Sequence, residues 1–291
     1  MKNIIITLSL LFMGVQLTAQ ETEFWFPSLS PKGIVSQEVG NTHIIVEYER
    51  PSARNRQIFG ALVPWKKVWR TGAGYCTKIS FNKNVKVGGQ KIPAGKYALF
   101  TIPSPEEWMI IINKDTTLYG SYDYDYKKDV ARFTVIPTNT KRFYETLNID
   151  IELIKHNAKM YIAWTNTQIS FDIETTTNDS LNRKINEELL TKQNKEAHNY
   201  SAAASYLFWQ GEDFTNALLL ADKAIELDAD LAWPRYLKAD IYEKLQLYDK
   251  VLEEFDKTMQ LLKKIKDDRK NEIIKLESEY QRIKKLLEST K

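Results

Sequence analysis

The stretch ERPSARNRQIFGALVPWKKVWRTGAG, residues 49–74, sets four guanidinium groups, Arg50, Arg54, Arg56 and Arg70, among small and aromatic neighbours. Arginine presents a planar fork of donors that grips carboxylates, phosphates and sulfates through paired hydrogen bonds. Side chains of an extended chain alternate between faces, which puts Arg50, Ser52, Arg54 and Arg56 on one side and Glu49, Pro51 and Ala53 on the other. Cations in such a row repel one another unless anions lie between them. Two sources of anion are open, a ligand or the chain's own acidic, tyrosine-rich segment DTTLYGSYDYDYKKD (115–129) with Asp115, Asp123, Asp125 and Asp129. Internal pairing is the leading expectation, because an arginine corner docked on an acidic loop explains both unusual stretches with one interaction.

The ligand reading stands beside it. Tyr122, Tyr124 and Tyr126 also alternate, and aromatic platforms with a few orienting polar groups suit a sugar or an anionic small molecule. On that reading the binding surface comprises Arg50, Ser52, Arg54, Arg56, Trp69, Arg70, Asp123, Tyr124 and Asp125. Trp69 and Arg70 are adjacent and face opposite ways, so at most one of them points to any given pocket. Trp108 in EWMIIIN reads as core.

Catalysis finds less support. Glycoside hydrolysis needs two carboxylates about 5–10 Å apart, for which Asp123 and Asp125 are the candidates if their loop is extended. A nucleophile–base pair is offered locally only by Ser52 and His43. Neither set comes with a motif that fixes geometry, and no catalytic residue is assigned. GAG at 72–74 is too short for a phosphate loop and no Lys-Ser/Thr follows it. His43, His156 and His198 are isolated, and the single cysteine, Cys76, sits in the alternating run CTKISF and reads as a buried thiol. Neither a metal nor a cofactor is expected.

Such side chains need a scaffold. HIIVEYE, TKISF, KYALFTI, EWMIIIN, ARFTVIP, ETLNIDIELI and KMYIAWTNTQISFDI are rich in β-branched and aromatic residues and are separated by turn signals at VGN, VGGQKIPAG, PSPE and KHNA. With no helix between them, residues 24–173 read as an antiparallel β-sandwich or barrel. A polar linker is expected at 174–180, with Asp179 or Ser180 capping the helix that follows. Residues 181–291 then turn helical and repeat at an offset of 34, matching Phe208 with Tyr242, Phe214 with Tyr248, Ala217 with Val251, Ala221 with Phe255 and Ala224 with Thr258. That period is similar to tetratricopeptide repeats, with copies at 198–231 and 232–265, although Ala229 stands where that pattern has proline. A closing helix at 268–290 carries the stripe Ile273, Leu276, Tyr280, Ile283 and Leu287, which reads as a cap within the monomer or as a seam between two chains. Repeats of this kind offer a protein partner a surface; the oligomeric state stays open.

The N-terminus reads as a signal peptide, residues 1–20: Lys2, the apolar run IIITLSLLFMGVQL, then small and polar residues with cleavage after Ala19 or Gln20. The run is short of the ~20 residues a spanning helix needs, so export to the periplasm or beyond, with no membrane span after processing, is expected. A formal net charge of +3 over 291 residues gives no reason to expect nucleic acid as a partner.

PSARNRQIFGALVPWKKVWRTGA, KVGGQKIPAGKYALFTIP, EEWMIIINK and YDYDYKKDVARFTV together resemble the bacterial family of unknown function DUF2911 across about residues 24–173. The resemblance implies glycine where this chain has Asn55 and asparagine where it has Gly74. Some members carry a dihydrolipoamide dehydrogenase label, yet this chain has neither a GxGxxG after a strand nor a redox cysteine pair.

Overall fold

The computed structural model describes residues 26–192, 194–211, 213–264 and 269–289; the expected signal peptide lies outside them. The N-terminal part is two antiparallel sheets. One has six strands in the order β1 (Lys32–Val39), β2 (Thr42–Glu49), β3 (Thr77–Phe81), β6 (Gly95–Ile102), β7 (Trp108–Asn113), β8 (Asp129–Val135). The other has four, in the order β5 (Gln90–Ile92), β4 (Val85–Val87), β10 (Asn157–Thr175), β9 (Thr138–Ile154). Strand periodicity decides which side chains meet: Thr42, Ile44, Val46 and Tyr48 of β2 are buried while the residues between them are half-buried. Inward residues of both sheets, among them Ile44, Leu99, Trp108, Leu147, Met160 and Trp164, form one core.

β6 and β7 are buried on both faces, as their unbroken apolar runs require. Their outward residues Ala98, Phe100 and Ile111 join Cys76 in a second, smaller core. Val68, Leu118 and Tyr124 lie over it, so the acidic, tyrosine-rich segment is a lid on the outer face of the sheet. The short hairpin of β4 and β5 stands where only a turn is expected; Gly88 and Gly89, with φ of 55° and 78°, make its tight reversal.

The linker expected at 174–180 is not there. β10 runs to Thr175 and helix α1 spans Thr177–Lys184, continuing as a π-helical turn over Ile185–Thr191. Neither Asp179 nor Ser180 caps it; Thr176 stands at the N-cap without a side-chain hydrogen bond. The reason is Thr177, which is buried against the β1–β2 turn. Its Oγ1 accepts from the Asn41 N–H (3.0 Å) and from the Thr175 hydroxyl (2.9 Å). Two further ties join sheet to helices at the β9–β10 turn: Lys155 Nζ donates to the Gln210 carbonyl (3.1 Å), and the rings of His156 and Tyr206 stack 5.6 Å apart.

Two helix pairs follow, α2 (Ala197–Gln210) with α3 (Phe214–Leu227) and α4 (Trp233–Lys244) with α5 (Tyr248–Lys264). Phe214 and Tyr248, matched in the sequence repeat, each open a helix, and Ala217, Ala221, Ala224, Val251, Phe255 and Thr258 are all buried. Gly211, at φ 77°, ends α2, and the Asp213 carboxylate caps α3 by accepting from Asn216 N–H at 3.0 Å. Helix α6 (Lys270–Ser289) buries Leu276 and Ile283 against Val251, Phe255 and Leu262. Its apolar stripe is thereby used within the chain.

Candidate functional site

Residues 50–76 run irregularly from β2 to β3, and the chain departs from the extended form where the alternation argument needs it. Arg54 and Asn55 have φ of 50° and 59°, in the left-handed region, so the arginines do not share one face. Arg50, Arg54 and Arg56 each find separate acceptors. Arg50 lies along Gly33, with Nε donating to the Leu147 carbonyl at 3.2 Å and the guanidinium 5.9 Å from the centre of the Tyr48 ring. Arg54 Nη2 donates to the Leu29 carbonyl (2.9 Å), while its backbone N–H donates to the Glu145 carboxylate (2.8 Å). Arg56 folds back on its own turn, Nε to the Ala53 carbonyl (3.0 Å) and Nη2 to the Ser52 carbonyl (2.7 Å). Ser52 and Thr146 hydroxyls hydrogen-bond each other at 2.9 Å. The corner therefore docks on β9, and the expected pairing with the acidic segment is not made. Backbone carbonyls freed by the irregular turn supply the acceptors that carboxylates were expected to supply.

The acidic segment is satisfied from its own side. Asp115 pairs with Lys128 at 2.7 Å and also accepts from Thr117; these contacts, Lys128 first, hold its carboxyl down to about 2. Asp125 caps the short helix Tyr126–Lys128. Asp129 binds Arg132 (2.9 Å), the Tyr124 hydroxyl (2.7 Å) and Asn113 (2.7 Å). Tyr124 lies 5.3 Å from Phe100, and burial, followed by the hydrogen bond to Asp129, pushes its phenol far above the ordinary range. Asp123 is exposed. Asp125 is spent on capping, so the two do not stand as a free pair of carboxylates. Trp69 is also absorbed by the fold: it stacks on Trp164 (6.0 Å, 18°) inside the core and donates Nε1 to the Gly72 carbonyl at 3.1 Å.

His43 does not turn to Ser52. Its Nε2 meets Ser36 Oγ at 2.6 Å and its Nδ1 lies 3.4 Å from Glu38. Ser36 and Glu38 are exposed on the edge strand β1, an open surface without walls to exclude water. Among the described residues no cluster of three or more His, Cys, Asp or Glu could hold a metal ion. Cys76 is buried, and desolvation raises its pKa, which keeps the thiol protonated and inert.

Arg70 differs from the other three. Its Nε is buried without a hydrogen-bond partner. The Nη1 end lies over Gly120, 3.1 Å from where a Cβ would stand. Gly120, at φ 70°, donates its N–H to the Gly74 carbonyl at 2.9 Å and is roofed by the Tyr122 ring. One residue either side of that bond, Tyr75 and Tyr119 bridge the two segments with rings 5.3 Å apart and nearly perpendicular. Tyr75, Tyr119 and Tyr122 are 54%, 62% and 83% exposed. Beyond Gly74 lies the Glu49 carboxylate, which accepts weakly from Tyr75 N–H (3.5 Å) and borders a small cavity of about 120 Å³ reaching Cys76 and Lys78. The patch thus holds one cation whose Nε lacks a partner among the described residues, three exposed aromatic rings and a flanking carboxylate.

Residues 30–173 match the model of the family described as protein of unknown function (DUF2911). The β-domain is a DUF2911 domain. No curated protein matches the chain. The two positions at which the resemblance implied another residue, Asn55 at φ 59° and Gly74 at φ 55°, both lie in the left-handed region that Asn and Gly adopt most readily. At Gly74 a Cβ would run into the Glu49 carboxylate, so asparagine there would require Glu49 to move. Of the residues read from the sequence, the structure leaves Arg70 facing the patch. It adds Tyr75, Tyr119 and Glu49, whose only advance signal was a surplus of tyrosine around the glycines at 74 and 120.

Proposed function

We propose that this is an exported, non-catalytic binding protein whose DUF2911 domain takes an acidic carbohydrate on the patch of Arg70, Tyr75, Tyr119 and Tyr122. The observation that carries the reading is the Arg70 guanidinium, its Nε without a partner among the described residues, beside three exposed rings. A buried N–H left unpaired costs about 1–3 kcal/mol, and a charged ligand oxygen on the same guanidinium offsets part of that cost. Tyrosine faces accept the apolar face of a pyranose, and the Glu49 carboxylate accepts from its hydroxyls. The N-terminal pattern of Lys2 and an apolar run supports export. The helical unit serves as a docking module for a protein partner, a role supported by the exposed rings of Trp209 and Trp233.

The test is calorimetric titration with a short oligogalacturonide and with the neutral oligogalactoside of the same length. The acidic chain should bind and the neutral one should bind at least tenfold more weakly. Arg70→Met should remove that preference, and Tyr119→Ala should weaken both. Equal binding of the two saccharides, or an Arg70→Met variant that keeps the preference, would remove the basis of the proposal.

A further inference from the structure

A sheet edge leaves backbone groups unpaired and templates further pairing unless something blocks it. The two sheets of the β-domain have four edges, formed by β1, β8, β5 and β9. Three of them are closed. At β8 the Gln90 side chain takes both backbone groups of Arg132: Nε2 donates to the carbonyl, and Oε1 accepts from the N–H at 3.4 Å. At β9 the arginine corner lies along the strand, with Ala53 N–H donating to the Glu145 carbonyl (2.6 Å) and Leu147 N–H to the Pro51 carbonyl (2.9 Å). β5 is only three residues long. β1 differs from all three. It runs for eight residues in unbroken register with β2, with no proline, no bulge and no charge among its inward residues Gly33, Val35 and Gln37. Its two charges, Lys32 and Glu38, stand near its two ends.

The ladder shows which backbone groups of β1 are free. Arg50 N–H donates to the Pro31 carbonyl at 2.9 Å. By the alternation of an antiparallel pair, Gly33, Val35, Gln37 and Val39 then also bond to β2. Lys32, Ile34, Ser36 and Glu38 therefore turn their N–H and C=O groups away from it. Among the described residues only the Glu38 carbonyl has a partner on that side, the Gln37 side-chain amide at 3.0 Å. The side chains of these four residues are exposed, Ile34 to 69%.

We propose that β1 is a dimerisation edge, at which two copies of this chain join their six-stranded sheets by antiparallel β1–β1 pairing about a two-fold axis at Val35. Residues with outward backbone groups must face one another across such a pair. With Val35 opposite its own counterpart, Lys32 faces Glu38 of the second copy and Ile34 faces Ser36, and symmetry repeats both pairs. Opposite charges then meet directly across the strands, and the two Ile34 side chains become diagonal neighbours that shield each other from water. A shift of two residues either way puts Ile34 or Ser36 on the axis and moves Lys32 away from Glu38. The charge order of β1 is thus complementary to itself read backwards, which selects a second copy as the occupant. Both charges are available: Lys32 makes no ion pair among the described residues, and Glu38 meets only His43 Nδ1, at 3.4 Å. The axis is perpendicular to the sheet, so the outer faces of the two sheets, each with its Arg70 patch, end on the same side. The pairing does not depend on what that patch binds.

The experiment is sedimentation velocity of the chain without its expected signal peptide, residues 21–291, between about 1 µM and about 500 µM. Monomer should pass to dimer as the concentration rises. Lys32→Glu and Glu38→Lys each set like charges opposite one another at both ends of the pair, so each should move the midpoint about tenfold toward higher concentration. An equimolar mixture of the two variants should dimerise again, because each substituted residue then faces its opposite charge on the other chain. A misfolded variant could not give that rescue. Ile34→Pro removes an N–H that β2 does not use, so it should abolish the dimer while thermal unfolding stays cooperative; if it disturbs the fold, the charge mixture still decides. A chain that stays monomeric at the highest concentration overturns the proposal, including one whose Ile34 and Ser36 amides are protected from hydrogen exchange by another segment of the same chain. A dimer that neither charge variant weakens, or a mixture that fails to recover, places the contact elsewhere and overturns it too.

Discussion

Replacing Arg56 by methionine tests whether the arginine corner is held by carbonyls or by acids. Arg56 makes two hydrogen bonds, to the Ala53 carbonyl at 3.0 Å and the Ser52 carbonyl at 2.7 Å, and is itself exposed. A net hydrogen bond contributes about 0.5–1.5 kcal/mol, or about 1.5–3 kcal/mol where one partner is charged, and exposure pulls both values well down because water replaces the lost donor. The expected loss is therefore about 1–2 kcal/mol. A buried ion pair broken on one side would cost about 3–5 kcal/mol. The assay is urea unfolding followed by near-ultraviolet circular dichroism, to which the stacked indoles of Trp69 and Trp164 contribute. Because the partners are neutral carbonyls, the loss should be the same at about 0.05 M and about 1 M sodium chloride, whereas a carboxylate partner would be screened. A loss above about 3 kcal/mol, or one that shrinks with salt, would mean that the guanidinium answers to an acid and that the corner has been misread.

Four further outcomes are expected. Leu276→Ala should destabilise the helical unit by about 2–5 kcal/mol, the range for truncating a buried leucine, and thermal denaturation of the chain measures it; a loss below about 1 kcal/mol would mean that α6 does not close the core. Gly120→Ala places a methyl in the left-handed region against the Tyr122 ring and Arg70 Nη1, so it should cost about 1–2 kcal/mol and abolish the acidic-saccharide preference in the same titration. Cys76 should resist dithionitrobenzoate at pH 8 in the native chain and react fully once unfolded in urea, because burial raises its pKa. Asp115 has a folded pKa of about 2 against 3.8 for the free group, so its contribution to stability is complete above the unfolded value and disappears as the pH falls through the folded one. Asp115→Asn should therefore flatten the acid limb of the stability profile below pH 4 and leave its shape at pH 6–8 unchanged.

The strands were legible wherever alternation was clean. β2 and the β9–β10 hairpin follow the spacing of Ile44, Val46, Leu147 and Ile149 because one face of each is buried and the other is not. β4 and β5 escaped notice because three residues are too few to show a period, and their glycines read as loop. The linker was misjudged for a different reason: TTTNDS is polar, and nothing in its composition reveals that Thr177 will be buried under a turn far away in the chain. The site divides the same way. Arginine chemistry was visible, but its acceptors were not, since carbonyls are written nowhere in a sequence and left-handed residues at Arg54 and Asn55 break the alternation on which the argument depended. Arg70 and Gly120 come together only because the lid segment crosses the outer face of the sheet.

The junction between sheet and helices bears on how the protein moves in solution. With Thr176 alone between β10 and α1, Thr177 pinned to Asn41, and Lys155 and His156 holding α2, a torque on the helical arm passes directly into both hairpins. Rotational diffusion should then be that of one particle: relaxation of backbone amides in β2 and in α3 should report the same overall correlation time. Whatever docks on the helices would orient the Arg70 patch as well, in the way a handle aims a blade.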